Sequence, residues 1–139
     1  MIAMLHGQVA AVDQSGVVLD VSGVGFDVRM PQTELASLHS GQSATVYTSM
    51  AVTQDAITLY GFLSSAEKKM FLQLQKVSGI GPKVALSLLS TLPPDRLARA
   101  VADGDATALA KAPGLGKKGA QKIIPVSYTH LTLPTILLV

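Results

Sequence analysis

Short apolar runs with a period near two fill the first 62 residues, and a helical period follows. Val17-Val18-Leu19-Asp20-Val21 and Gly25-Phe26-Asp27-Val28-Arg29-Met30 are rich in β-branched and aromatic residues. Ser15-Gly16 and Ser22-Gly23-Val24-Gly25 bound them with turn signals. Ala44 to Thr48 and Ile57 to Phe62 continue the pattern, and Met1 to Ala11 adds another segment. Five or six strands at this spacing predict a small barrel or sandwich. A short helix is expected after Pro31, through Glu34, Leu35 and Leu38, with Gly41 ending it.

The character changes at Ser64. Ser64-Ser65-Ala66-Glu67 has the spacing of a capping box, and Met70, Phe71 and Leu74 follow at helical spacing. Gly79-Ile80-Gly81 breaks that helix, and Pro82 suits the first turn of the next, where its missing N–H costs nothing. Val84, Ala85, Leu88 and Leu89 form the apolar face of this second helix. Pro93-Pro94-Asp95 opens a third, with Leu97, Ala98 and Val101 expected inward. Asp105 caps a fourth, Ala106 to Lys111. Pro113 to Gly116 breaks it, and Lys117 to Ile124 reads as a fifth.

Charge sharpens this division. Residues 1–62 hold one cation, Arg29, against five anions, a net −4. Residues 63–124 hold ten cations against four anions, a net +6. Such asymmetry points to a polyanion-binding module joined to one that avoids polyanions. The chain has no Cys, which excludes disulfides, thiolate zinc sites and a Cys nucleophile. His6, His39 and His130 lie apart, with no second ligand at metal spacing, so no metal is expected. No signal peptide is read at the N-terminus, and no apolar run approaches the ~18 residues that span a bilayer. No membrane partner is therefore expected, and the expected location is cytoplasmic.

The basic half repeats itself with an offset of 35 residues. Leu74 matches Leu109, Lys76 matches Lys111, Gly79 matches Gly114 and Gly81 matches Gly116. Lys83 matches Lys118, Ala85 matches Ala120, and Leu88-Leu89 match Ile123-Ile124. Each copy is a helix, Gly-aliphatic-Gly, and a second helix. Glycines permit positive φ and remove side chains that would hold a ligand away. The start of the second helix presents unpaired N–H groups and the positive end of the helix dipole, a site suited to phosphate. Lys83, Lys117 and Lys118 add full charges, and Ile80 and Leu115 plug each hairpin. Contacts of this kind hold a nucleic-acid backbone without reading its sequence.

These segments carry a family resemblance. MIAMLHGQV, VSGVGFDVRMP, TLYGF, KVSGIGPKVALSLLS and KAPGLGKKGAQKII, in that order over about residues 1–124, resemble the RuvA family of Holliday junction branch migration subunits. The resemblance implies a β + α multidomain chain. An N-terminal OB-fold barrel, residues 1–63, is followed by a tandem helix-hairpin-helix domain, residues 64–124. It implies four-fold assembly on a DNA four-way junction, as a homotetramer or octamer, in recombination and repair. It also implies a mobile C-terminal domain that engages the motor ATPase RuvB. Gly79, Gly81, Lys83, Gly114, Gly116, Lys117 and Lys118 would then contact phosphates. Thr53-Gln54-Asp55-Ala56 resembles the family's acidic pin at the junction centre. The family shows two adjacent acids there, whereas this chain has Gln54 and Asp55, which halves the pin's charge.

A nucleotide-binding enzyme is the competing reading, because Gly114 to Gly119 also spells GxGxxG. That fingerprint needs a preceding strand and an acid about 20 residues on. The preceding segment reads as helix and no acid follows. A Walker A loop fails as well, since Ala120 stands where Lys is required. No cofactor and no catalytic residue is expected. Residues 125–139 depart from the pattern: Pro125 stops a helix that should continue. Val126 to Thr135 resembles translated transposon-end adapter. The expectation is a non-native tail, with the motor-binding domain absent and RuvB not engaged by this chain.

Overall fold

The computed structural model describes residues 1–77, 79–112 and 120–121. They divide between two compact units, one spanning Met1–Lys68 and a second beginning at Lys69.

The first unit is a closed five-stranded barrel. Its strands are β1 (Met4–Val12), β2 (Gly16–Val21), β3 (Val24–Arg29), β4 (Ser43–Val52) and β5 (Ile57–Phe62). Around the barrel they run β1-β2-β3-β5-β4. All neighbours are antiparallel except β3 and β5, whose parallel ladder covers only Val28↔Leu59 and Arg29↔Tyr60. Closure leaves no long edge for another strand to join. β1 makes this possible with one long strand: residues 4–8 pair β4 and residues 8–12 pair β2. Its register slips between Val9 and Ala11, a bulge that bends the strand around the barrel.

Alternation decides what faces inward. Val17, Leu19, Val28 and Val46 are fully buried in the barrel core, while Asp20 and Asp27, each next to one of them in sequence, face solvent. Gly61 is needed for close packing: a Cβ there would collide with the Val28 and Val46 methyls. The β2–β3 turn has positive φ at both Ser22 (53°) and Gly23 (91°), the left-handed pair that a two-residue hairpin requires. At the other end of β2, the Asp13 carboxylate accepts N–H bonds from Ser15 at 2.8 Å and Gly16 at 2.9 Å. Those bonds, led by that of Ser15, hold Asp13 below the usual carboxylate range.

α1 (Gln32–Leu35) is shorter than its apolar pattern predicts. The Ser37 hydroxyl donates to the Glu34 carbonyl at 2.8 Å, competing with helix continuation, and the chain leaves through a turn that buries Leu38. Gly41, expected to end the helix, instead sits at φ 89° and donates its N–H to Val9 O.

α2 (Ser65–Leu74) starts as its sequence predicts, with Ser64 Oγ accepting the Glu67 N–H at 3.2 Å. In the second unit, Met70, Phe71 and Leu74 of α2 are buried. α3 (Pro82–Thr91) buries Ala85, Leu88 and Leu89. α4 (Pro94–Ala102) buries Leu97, Ala100 and Val101; Ala98, expected inward, is only half-buried, because the face centres on the 97/100/101 stripe. α5 (Ala106–Leu109) is capped by Asp105, whose carboxylate accepts the Ala108 N–H at 3.0 Å. The helix read over Lys117 to Ile124 lies outside the described residues, apart from Ala120 and Gln121, which are helical. Residues 125–139 lie outside them entirely. No described helix is long and apolar enough to cross a membrane.

Candidate nucleic-acid interface

The first Gly-aliphatic-Gly segment is a tight interhelical turn. Val77 N–H bonds to Leu74 O at 3.2 Å and Ile80 N–H to Val77 O at 3.1 Å. Ile80 is buried between two exposed glycines, the plug its apolar side chain predicts. Gly79 sits at φ 84°, where L side chains are strained.

Gly81 differs. Its φ of −91° suits any residue, and a Cβ added there would meet nothing within 4 Å. It caps α3, a position that Ser, Asp or Asn fills better. Conformation, packing and capping therefore all fail to explain glycine at 81. What remains is the outside: a bare backbone lets a ligand approach the helix start closely.

The start of α3 suits an anion. Pro82 has no N–H, and the first intrahelical bond is Ala85 N–H to Gly81 O at 3.0 Å. The N–H groups of Lys83 and Val84 thus lack intrahelical acceptors, and no side chain caps them. No acidic residue lies in this first turn, and the Lys83 side chain is exposed. Partial positive charge of the helix end and a full charge coincide there.

The repeat is visible in burial wherever both copies are described. Leu74 and Leu109 are both fully buried, as are Ala85 and Ala120. Val77 and Ala112 are both buried, and Lys76 and Lys111 are both exposed. Gly114, Gly116, Lys117 and Lys118 lie outside the described residues.

The Thr53–Ala56 loop belongs to the barrel unit. It joins β4 to β5, and three hydrogen bonds close it: Thr53 N–H to Ala56 O at 2.8 Å, and Thr53 Oγ1 with both Ala56 O and Ala56 N–H at 3.1 Å. Gln54 and Asp55 are fully on the surface. The two residues flanking this loop, Val52 and Ile57, are exposed apolar side chains, although the strand pattern took in Ile57 only as the start of a strand and did not reach Val52. Two β-branched residues bracketing a polar four-residue loop were the available signal.

Comparison with known proteins agrees with both halves. Residues 1–61 match the RuvA N terminal domain, and residues 71–125 match the SAM-like helix-hairpin-helix tandem. The Holliday junction branch migration complex subunit RuvA of Bifidobacterium adolescentis is 74% identical over 124 residues, 89% of this chain and 60% of the relative. That of Bifidobacterium animalis subsp. lactis is 66% identical over the same shares. That of a Nocardioides species is 45% identical over 135 residues, 97% of this chain and 68% of the relative. The chain thus spans about 60% of the length of the Bifidobacterium relatives.

Proposed function

Because the chain belongs to the RuvA family, we propose that it binds DNA four-way junctions through their phosphate backbones, as the non-motor subunit of a branch migration complex. The observation that carries this reading is the open turn at Gly79–Lys83: a glycine that nothing inside the protein requires, leading into an uncapped helix start beside an exposed lysine. In this reading residues 1–63 form the barrel domain and residues 64–124 the DNA-holding domain. Gly79, Gly81 and Lys83 form one phosphate grip, and Gly114, Gly116, Lys117 and Lys118 form its repeat. Asp55 and Gln54 stand at the junction centre, where a carboxylate repels phosphates and keeps strands apart while they exchange partners.

The chain carries no chemistry of its own in this account. Strand movement needs work from an ATP-driven partner of the RuvB kind, engaged by a further domain in the family. A homotetramer, or two stacked as an octamer, matches the four arms of the junction, and the setting is the cytoplasm.

A gel-shift titration tests the reading, with a synthetic four-way junction and a linear duplex of equal length at two salt concentrations. Tighter binding to the junction, weakening as salt rises, is expected. Equal binding to both would reduce the chain to a generic backbone-binding module. No binding by a folded sample would remove the reading.

A further inference from the structure

By strand direction, the start of β1, the β2–β3 turn and the β4–β5 hairpin share one end of the barrel. The exposed large apolar side chains of this unit, Met1, Met4, Val24, Val52 and Ile57, all sit on those segments. The opposite end carries none of them.

The hairpin outruns the barrel. The β1 ladder on β4 ends at Met4↔Tyr47, with Ala3 O still accepting the Thr48 N–H at 2.9 Å. β3 reaches only Leu59 and Tyr60 of β5. Beyond those points Ala51↔Thr58 and Val52↔Ile57 pair with each other as a two-stranded ribbon. The period of two puts Val52 and Ile57 on the face of Met50 and Leu59. Leu59 belongs to the barrel core and Met50 packs against it. The core-lining face therefore continues past the barrel and ends on two side chains 63% and 70% exposed.

Charge limits what can cover this pair. The hairpin holds one charged group, Asp55. The side-chain cations of the unit are Arg29, at the opposite end and bonded to Ser15 Oγ at 2.5 Å, and Lys68, which donates to Ala3 O at 3.3 Å. A phosphate on the hairpin would meet its carboxylate and no cation of the hairpin itself, and Lys68 is held back at Ala3 O, where the β1 ladder ends. A second copy docked face to face would set one Asp55 against another. An unpaired nucleobase fits better: its face is neutral and apolar, and its edge carries N–H and carbonyl groups that Asp55 and the Gln54 amide can pair with. Apolar side chains wedged at opened base steps are a recurrent device of DNA-binding proteins.

We infer that Val52 and Ile57 form an apolar platform that receives the face of an unpaired base, with Gln54 and Asp55 meeting its edge. This rests on the junction-binding reading and adds base contact to its phosphate grips.

The full chain is titrated into a four-way junction carrying 2-aminopurine at the crossover, and into one carrying it in mid-arm. Fluorescence should rise at the crossover alone. The V52T/I57T variant keeps β-branching, and so strand preference. It should lose most of that rise while its gel-shift affinity for the junction stays within a few-fold of the parent. An equal rise from the variant, or junction binding by the parent without any rise, overturns the platform and leaves junction binding intact. A change in the sedimentation of the variant overturns it in favour of a second copy. Absence of junction binding by the parent overturns both readings together. Photocrosslinking of the parent to 5-iodouracil at the crossover needs no variant. An adduct within residues 49–58 supports the platform, and adducts only elsewhere overturn it.

Discussion

Glu34 reaches across 29 positions of sequence to accept the Leu63 amide N–H at 2.8 Å, tying α1 to the end of β5. Oε2 takes that bond. Oε1 is buried and meets no donor group. Burial first, and the neighbouring Glu67 carboxyl second, push Glu34 up from 4.5 to about 9. Two ionised carboxylates cannot hydrogen-bond each other, so the proton held on Glu34 is what lets its carboxyl donate to that of Glu67.

Stability should therefore fall as pH rises. Between 4.5 and about 9 the folded chain keeps a proton that the unfolded chain has released. The contribution is full below 4.5, declines through that window and is gone above about 9. Thermal melts of parent and E34Q at pH 5 and pH 8.5 check it. Gln keeps an acceptor for Leu63 and brings its own N–H, so E34Q should flatten the dependence. E34A should cost about 1–3 kcal/mol at pH 5 by leaving the Leu63 N–H unpaired. A parent as stable at pH 8.5 as at pH 5 would refute the protonated state.

At Gly81, stability and binding should move in opposite directions. G81S places a hydroxyl where it can accept the Lys83 or Val84 N–H, and should raise stability by a few tenths of a kcal/mol. The same hydroxyl occupies the place of a phosphate oxygen. Junction affinity should drop about tenfold, the equivalent of one charge-assisted hydrogen bond. Urea melts and gel shifts on one preparation separate the two effects. G79A should instead lose about 1 kcal/mol of stability, because its φ of 84° strains any L side chain.

Lys83 should count as roughly one counterion. K83A is expected to weaken binding alike on all sequences and to reduce the salt slope by about 1. The K117A/K118A double variant should reduce it further. An unchanged slope in either would place those lysines off the backbone.

Inside the barrel, G61A should cost about 1–3 kcal/mol, since the added methyl must displace Val28 and Val46 side chains in a packed core. S22N should gain up to about 1 kcal/mol, because Asn tolerates the positive φ that Ser22 is made to adopt. Chemical denaturation of the two variants measures both.

Most of the strands were legible because one face is buried and the other wet, as at Val17, Leu19 and Asp20, whereas β5 is buried on both faces from Leu59 to Phe62 and was legible from its apolar, β-branched and aromatic composition. The glycine turn at Gly79–Gly81 was legible because the 35-residue repeat supplied a second copy of its sequence against which to read it. Other features depend on partners far away in sequence. Glu34 reads as a surface acid on a short helix, and only Leu63 and Glu67 make it a buried one. α1 stops early because Ser37 turns back on the Glu34 carbonyl. Ile57 looks like any inward strand residue until the extent of the β1 and β3 ladders shows that the barrel has already ended beneath it.

The parallel seam between β3 and β5 also bears on how the barrel forms. The β1–β2–β3 meander and the β4–β5 hairpin each pair neighbours in sequence and can assemble on their own. Joining them requires β1 to find β4, and Val28 and Arg29 to find Leu59 and Tyr60 some thirty residues on. The loop entropy of that search precedes any reward, so ring closure is the step that sets the folding rate. With two residue pairs holding it, the same seam is where the ring first reopens, and amide protons there should exchange ahead of those in the β1–β2 and β4–β5 ladders.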